Sequence, residues 1–339
     1  MNRVKYVLVA SPIMHILFKG VLSNNILLAL DCIVLLLITF NRTIKIGSET
    51  KFYLLMLGLS LFGFISRGAM NNAAIMEFKF LFILFLILFS PSLYISEKRL
   101  YRDSLLYSFL LFISIAYTLV TTKNRFDMGV VGEINYDLFI IGLVLLKLEN
   151  KFLFNRILVI YLLLALLSMS RMNILIAMVL MAQRNKNFSL IAGVFVMSLY
   201  VVSVRGLPTS FSSVDRLVFI SEWFSVMSSN INLGPSPVGL SLYRDSHNAI
   251  FDWYRDDMSA RNNLDTGVYS FMFHFFIGRI FTQYGVILSL VILWLLRRDI
   301  LNNKLFYVIA LFSFSWIYIL PVAILYTNVK IKTNQFITG

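Results

Sequence analysis

Long apolar runs recur along this chain and constrain its fold more than any other feature. The runs lack the strict alternation of apolar and polar residues that membrane barrel strands show, and they extend beyond ten residues. They lie at about residues 4–22, 26–40, 52–66, 80–95, 104–121, 137–148, 157–170, 173–183, 188–204, 285–296 and 305–326. This pattern predicts an all-α fold, a polytopic transmembrane helical bundle with about eleven spans, in a range of about ten to twelve.

The composition excludes an ordinary water-soluble domain. Hydrophobic residues make up 59% of the 339 residues, charged residues make up 14%, and the mean hydropathy is +0.80. The net charge of +13 is spread in short basic segments between the apolar runs, as topology signals and contacts with anionic lipids are. We therefore expect membrane lipids among the partners and no nucleic acid. Cys32 is the only cysteine, so no internal disulfide and no thiolate metal site can form.

The distribution of lysine and arginine also predicts the orientation of the spans. We expect the first run to be a retained helix, because no small-residue cleavage site follows it. With the amino terminus inside, the connections on the cytoplasmic side carry most of the cations, namely Arg42, Lys45, Lys51, Lys98, Arg99, Arg102, Lys151, Arg156, Arg184, Lys186, Arg297, Arg298 and Lys304. An odd number of spans then leaves the carboxy-terminal tail outside. Lys330 and Lys332 in this tail count against that placement, because cations favour the cytoplasmic side.

One long segment, residues 205–267, is not suited to lipid. It contains five arginines, three prolines and seven of the 17 acidic residues, so it is close to neutral. We predict a large, partly helical loop on the side away from the cytoplasm. The domain organisation that follows is transmembrane helices one to nine in residues 1–204, the loop in 205–267, and a re-entry segment with the last two transmembrane helices in 268–339.

Several cations break the positive-inside pattern and fall on the predicted outer face, namely Arg67, Lys123, Arg125 and Arg171. A guanidinium binds phosphate through two parallel hydrogen bonds, so an anionic ligand at that depth explains them. The alternative is that each reaches the interface or pairs with a nearby carboxylate. For Arg171 the anionic ligand is the favoured explanation, because the short turn between two runs has no long hydrophilic connection that could solvate the charge. His15 and Asp31, inside the first two runs, are interpreted as packing or interface residues.

These pieces together resemble the superfamily of O-antigen polymerases (Wzy) and O-antigen ligases. The resemblance covers about residues 120–296 and rests on loose motifs. They are the Ser170-Arg171 turn, the outer loop opening with Asp215-Arg216-Leu217 ahead of Trp223, the glycine-containing stretch 234–239, the His247-Asn248 pair and the closing segment HFFIGRIFTQYGVI. In the family, the loop histidine lies close before the next span and is followed by Asn. Here His247-Asn248 lies nearly 40 residues upstream, whereas His274 is close to the span but precedes Phe275.

The resemblance implies a glycosyltransferase of the GT-C-like type in the bacterial inner (cytoplasmic) membrane. Members move a glycan from undecaprenyl pyrophosphate to an acceptor hydroxyl at the periplasmic face. The partners implied are an undecaprenyl-pyrophosphate-linked oligosaccharide and a chain-length regulator protein. The short chain, rich in Phe, Ile, Leu and Asn, is more like a polymerase, and a ligase acting on lipid A core is the alternative. A flippase or transporter fits less well, since transporters show internal repeats.

The resemblance also implies roles for particular residues. The catalytic candidates are Arg171 and Arg216 on the pyrophosphate, with His247 or His274 either as the base that takes the acceptor proton or as the residue that orients the acceptor. The substrate-binding candidates are Arg67, Arg125, Arg244, Arg279, Asn248, Trp223 and Tyr243. The outer loop contains no Asp-x-Asp pair, and the two histidines do not have metal-ligand spacing. We therefore expect metal-independent transfer without a cofactor.

Overall fold

The described part of the chain is predominantly helical. The computed structural model describes residues 3–18, 21–22, 24–40, 48–66, 93–121, 128–131, 134–184, 193, 195–196, 199, 220–221, 224, 276–302 and 329–331. Helix α1 is continuous through Arg3–Lys5, a π-helical turn at Tyr6–Ala10 and Ser11–Phe18. The other elements are α2 (Asn24–Phe40), α3 (Ser48–Ser66), β1 (Leu93–Ile95), α4 (Glu97–Val120), α5 (Ile134–Lys147), α6 (Lys151–Leu167), α7 (Arg171–Arg184), α8 (Phe276–Asn302) and β2 (Val329–Ile331).

Most predicted runs that fall on described residues are helices, although their ends extend into the polar flanks. Within the described residues, α4 is the one helix of 18 or more residues that is apolar enough to cross a membrane. Shorter apolar helices occur at Tyr6–Phe18, Thr50–Leu59, Met172–Ala182 and Tyr284–Leu295. The predicted runs at 305–326, most of 80–95 and most of 188–204 lie outside the described residues.

The chain divides into two compact units, each with its own helix packing. The first comprises Met1–Ile44, Ser90–Leu207 and Ile319–Gly339, and the second comprises Lys45–Phe89 and Pro208–Tyr318. Helices α4 to α7 pack against one another in the first unit, and its largest fully buried side chains are Tyr107, Tyr161, Phe139 and Phe154. In the second unit α3 packs on α8, where the rings of Phe52 and Trp294 meet edge-on at a centroid distance of 5.2 Å.

Helices α4 to α7 alternate in direction. At one end, the backbone N–H of Asn150, which caps α6, donates to Glu97 Oε1 in the first turn of α4 at 2.6 Å. At the same end, Arg184 Nη2 in the last turn of α7 donates to the carbonyl of Leu146 in α5 at 2.7 Å. At the other end, Ser170 Oγ before α7 donates to Asn135 Oδ1 in α5 at 2.8 Å. The two ends are named the Glu97 end and the Ser170 end.

Two short parallel strands correct the sequence prediction. Leu93, Tyr94 and Ile95 pair with Val329, Lys330 and Ile331. Residues 93–95 are therefore extended, although the run 80–95 predicted a helix. Because β1 ends just before α4 begins, the pairing places β2 at the Glu97 end. An odd span count would put this tail on the side opposite to Lys98 and Arg99, whereas the strand pairing puts residues 329–331 at the end of α4 where these two residues lie.

Helix α8 contains a sharp break at Gly285. This residue has φ 70° and ψ 178°, a left-handed φ that side chains rarely adopt, so glycine is required there. The predicted last-but-one span, residues 285–296, begins at this break. The helical segment before it carries Arg279 and falls in the predicted re-entry segment.

Candidate functional site

The structure describes two of the predicted site residues. Arg171 is the first residue of α7, and Arg279 is buried in α8, with 7% of its surface exposed. They belong to different units, so neither unit holds more than one predicted site residue among those described. The remaining predicted site residues lie outside the described residues, namely Arg67, Arg125, Arg216, Trp223, Tyr243, Arg244, His247, Asn248 and His274.

The turn that leads into Arg171 is a Schellman cap at the end of α6. The N–H of Ser170 donates to the carbonyl of Ala165 at 2.8 Å, and the N–H of Met169 donates to that of Leu166 at 2.9 Å. Met169 has φ 52°, the left-handed conformation that glycine usually provides in this motif. A side chain in this conformation costs about 1–2 kcal/mol, so surrounding contacts must stabilise the turn.

Four side chains supply those contacts and are named the turn network: Asn135, Tyr161, Ser170 and Asn173. Ser170 Oγ donates to Asn135 Oδ1 at 2.8 Å. Asn173 Nδ2 donates to Ser170 Oγ at 2.8 Å and to the carbonyl of Asn135 at 3.1 Å. Tyr161 OH donates to Asn173 Oδ1 at 2.8 Å. Tyr161, Ser170 and Asn173 are fully buried, so the network joins α5, α6 and the start of α7 away from water.

Local sequence explains why the network forms at this turn. Ser170 is the N-cap of α7, because its carbonyl accepts the first helical bond from the N–H of Ile174 at 3.1 Å. Asn173 is three residues later, where capping side chains reach back to the cap. The carbonyl of Asn135 can only accept, so Nδ2 of Asn173 must face it and Oδ1 must face Tyr161. One amide orientation therefore satisfies all three partners.

The start of α7 is electrostatically suited to an anion. The first turn of a helix has backbone N–H groups without helical acceptors and carries the positive end of the macrodipole. A cation such as Arg171 at the first position is opposed by this dipole, by about 0.3–1 kcal/mol. The turn network contains only neutral groups. An anion bound at this turn would offset the unfavourable placement of Arg171.

A buried carboxylate holds a second segment at the Ser170 end. Asp137, in the first turn of α5, accepts from Tyr107 OH at 2.7 Å and from the N–H of Val131 at 3.2 Å. It also accepts from the N–H of Val130. Asp137 is 1% exposed. These bonds hold residues 130–131 against α4 and α5, next to the helix start that carries Asn135.

Arg184, predicted as a cytoplasmic topology signal, lies at the opposite end. Its guanidinium bonds the carbonyl of Leu146 and lies over the Phe154 ring at 5.3 Å from the centroid. Burial lowers the pKa of Arg184, and the carboxylates of Glu149 and Glu97 act in the opposite direction. These contacts give Arg184 a capping role at the end of α5, in agreement with the preference for cations at helix carboxyl ends.

Three ionisable residues of the first two runs form a hydrogen-bonded cluster with Ser11, which the sequence did not predict. Asp31 is fully buried and accepts from Tyr6 OH at 2.7 Å and from Ser11 Oγ at 2.9 Å. His15 Nε2 lies 3.0 Å from Asp31 Oδ2. The N–H of Ser11 bonds the carbonyl of Tyr6, which is one π-helical turn. This turn brings Tyr6 onto the face that Ser11 and His15 share at α-helical spacing.

Comparison with protein families, with curated proteins and with solved structures found no match. Within the described residues, no group of three or more His, Cys, Asp or Glu side chains could hold a metal ion. Sequence reasoning selected Arg171 but missed Asn135, Tyr161 and Asn173. The spacing of Ser170 and Asn173 at the start of an apolar run is a capping signal, and it could have identified two members of the turn network.

Proposed function

We propose that the chain is a polymerase of O-antigen or of a related surface polysaccharide, which joins undecaprenyl-pyrophosphate-linked repeat units. The proposal places it as a multi-pass protein of the bacterial inner membrane with its site at the periplasmic face. The observation that carries it is Arg171 at a helix start that is held by a buried, neutral network. The apolar helices, α4 above all, support the membrane location.

The proposed reaction uses cations where negative charge grows. The acceptor hydroxyl oxygen attacks the anomeric carbon of the donor glycan, the bond from that carbon to the pyrophosphate oxygen breaks, and a base takes the hydroxyl proton. Arg171 and Arg216 hold the pyrophosphate as it departs, and His247 or His274 is the base. Secondary phosphate contacts come from Arg67, Arg125, Arg244 and Arg279, and sugar contacts from Asn248, Trp223 and Tyr243.

Arginine and lysine substitutions test this proposal. Arg171→Ala, Arg171→Lys, Arg216→Ala and Arg216→Lys are each expressed at matched membrane levels in a strain without the native gene, and polysaccharide length is read on gels. Lysine keeps the charge but loses the planar two-point grip, so we expect it to impair transfer almost as much as alanine. If Arg216 instead pairs with Asp215 or Glu222, lysine restores function. Long chains from both alanine variants would end the proposal.

The same gels separate the polymerase from the ligase. Chains that stop at one repeat unit on lipid A core identify a failed polymerase. Long carrier-linked chains with no sugar on the core identify a failed ligase. Purified protein should also transfer lipid-linked repeat units in excess chelator, because the loop offers cations and no carboxylate pair with ligand spacing. Activity that returns only with added magnesium or manganese would contradict the metal-independent mechanism.

A further inference from the structure

We infer that Tyr161 and Asn173 are positioning residues for Arg171, and this inference rests on the proposed role of Arg171 in binding pyrophosphate. Neither residue needs to touch the substrate. Tyr161 holds Asn173, Asn173 holds Ser170 and Asn135, and Ser170 directly precedes Arg171 in the chain.

The first step is that three hydrogen bonds hold the side-chain amide of Asn173 in one orientation. Its oxygen accepts from Tyr161 OH at 2.8 Å, and its nitrogen donates to Ser170 Oγ at 2.8 Å and to the carbonyl of Asn135 at 3.1 Å. Asn173 and Tyr161 are both fully buried, so water cannot replace a lost partner. The carbonyl of Asn135 fixes the direction of the amide, and the hydroxyl of Tyr161 is the donor that satisfies the amide oxygen.

The second step is that the amide sets the position of the helix start. Ser170 Oγ is held from both sides, by Asn173 as donor and by Asn135 Oδ1 as acceptor. Its carbonyl accepts from Ile174, and its N–H donates to Ala165. The residue before Arg171 is therefore held on every polar atom. A rotation of the first turn of α7 would break bonds to α5, α6 or both.

The third step is that ordinary packing does not require this arrangement. Apolar side chains can make helix contacts without burying any polar group that lacks a hydrogen-bond partner. A buried polar network, in contrast, is favourable only when every polar group in it has a partner. The network also stabilises a left-handed Met169, and such backbone strain is typical of functional sites. Precise placement matters for a two-point phosphate contact, since an error of about 1 Å can cost about 100-fold in rate.

The test is a double-mutant cycle on the full-length protein in nanodiscs. Tyr161→Phe removes one oxygen atom and is combined with Arg171→Ala. Affinity for undecaprenyl pyrophosphate is measured for the four proteins, together with kcat and KM for lipid-linked repeat units and the melting temperature. Tyr6→Phe is the matched control. It also removes the hydrogen bond of a buried tyrosine hydroxyl, here the one of 2.7 Å between Tyr6 in α1 and Asp31 in α2.

If Tyr161 acts through Arg171, Tyr161→Phe weakens the affinity about tenfold in the native background. In the Arg171→Ala background its effect should fall within about twofold, while Tyr6→Phe leaves the affinity unchanged in both. An equal loss in both backgrounds would show a merely structural role and overturn the inference, as would no loss in the native background. If Arg171→Ala itself changes neither affinity nor transfer, the proposed function fails first, and the positioning role fails with it.

Should Tyr161→Phe not fold, Ser170→Ala replaces it in the same cycle. That variant removes the hydroxyl that Asn173 and Asn135 share, so the expected coupling to Arg171 is the same. Ser170→Thr keeps the hydroxyl and should restore most of the affinity. Failure of threonine to restore the affinity in a folded protein, with equal losses in both Arg171 backgrounds, would overturn the inference.

Discussion

At the scale of single residues, Gly142 in α5 lies against Tyr161 of the turn network. A Cβ at this position would lie 3.5 Å from Tyr161 Oη and 3.6 Å from Ile176 Cγ2, which are ordinary contact distances. We expect Gly142→Ala to be tolerated and to raise stability by up to about 1 kcal/mol, because alanine is the better helix former. Gly142→Leu should displace Tyr161 and cost about 1–3 kcal/mol.

Unfolding in detergent, followed by circular dichroism, measures both Gly142 variants. Gly58 in α3 provides the control, since a Cβ there meets no atom within 4 Å and Gly58→Leu should cause no such loss. Equal losses from Gly142→Leu and Gly58→Leu would contradict the close packing of α5 on Tyr161.

The left-handed backbone conformation of Met169, in the turn between α6 and α7, leads to a second prediction. Met169→Gly should stabilise the protein by about 1 kcal/mol, because glycine adopts φ 52° without the clash of a side chain. Ser168, its neighbour, has φ −87° and is the control. Ser168→Gly should destabilise by about 1 kcal/mol or more, since there glycine adds freedom to the unfolded chain and removes the hydrogen bond that Ser168 Oγ donates to the carbonyl of Ala165 at 3.2 Å. Denaturant midpoints that move in the same direction for both variants would refute this account of the turn.

Single residues also show which parts of the candidate site can be predicted from the sequence. Arg171 was predictable, because a charge in a short turn between apolar runs stands out by itself. Tyr161 and Asn173 were not, since their importance lies in a contact across two helices, and an apolar run with one tyrosine does not indicate its partner. Asp137 was missed for the same reason. Its bonds to Tyr107 and to the backbone of Val130 and Val131 are features of tertiary structure.

At the scale of elements, one carboxylate of α2 contacts three side chains of α1. Asp31→Ala would leave Tyr6, Ser11 and His15 without their acceptor in a buried site. We expect a loss of at least about 3 kcal/mol, because each buried polar group left without its partner costs about 1–3 kcal/mol. Asp31→Asn should cost less, because its oxygen still accepts from one of the hydroxyl groups. Thermal unfolding of the purified protein measures the difference.

Asp103 in α4 is the matched control for Asp31. It is also buried, with 4% of its surface exposed, but its Oδ2 atom has no hydrogen-bond partner. Its Oδ1 atom lies 3.8 Å from Nε of the largely exposed Arg102, a pair that contributes little. Removing the unpaired oxygen relieves a desolvation cost, so Asp103→Ala should cost much less than Asp31→Ala. Equal losses would mean that the hydrogen bonds of Asp31 contribute nothing beyond the removal of a buried side chain.

Elements were predictable where the apolar pattern was long, and their exceptions have physical causes. The helices of the first unit lie on predicted runs, because burial or lipid contact requires a continuous apolar segment. The π-helical turn in α1 was not foreseen, since the α-helical period does not place Tyr6 and Ser11 on one face. Strand β1 was not foreseen either. An apolar run does not by itself distinguish strand from helix, although Pro91 two residues earlier disfavours a continuous helix.

At the scale of the whole molecule, the alternating directions of α4 to α7 agree with the alternation that the basic residues predict. Glu97, Leu146 and Arg184 meet at one end, and Asn135 and Ser170 meet at the other. The proposed site needs residues that are far apart in sequence, such as Arg171 and Arg216. Sequence patterns identify such residues one at a time and carry no signal of contact between them, so the site as a whole could not be predicted.

The parallel pairing of β1 with β2 has a consequence for topology. Residues 93–95 lead into α4 at its Glu97 end, so Lys330 and its neighbours lie at that end too. In the proposed orientation this end faces the cytoplasm, where Lys98 and Arg99 also lie. Lys330 and Lys332 then follow the positive-inside rule instead of opposing it. An amino terminus and a tail on the same side require an even number of spans.

Single cysteines in a Cys32→Ser background test this topology in intact spheroplasts with a membrane-impermeant thiol reagent. Ser236→Cys, in the loop of residues 205–267, should react, because the proposed orientation puts that loop in the periplasm. Asn302→Cys and Lys330→Cys should react only after the membrane is permeabilised. A reactive Lys330→Cys beside an unreactive Asn302→Cys would restore the odd count, and the β1–β2 pairing could then not exist in the membrane. Reaction at Asn302 without reaction at Ser236 would reverse the whole orientation, and the proposed periplasmic position of Arg171 would be lost with it.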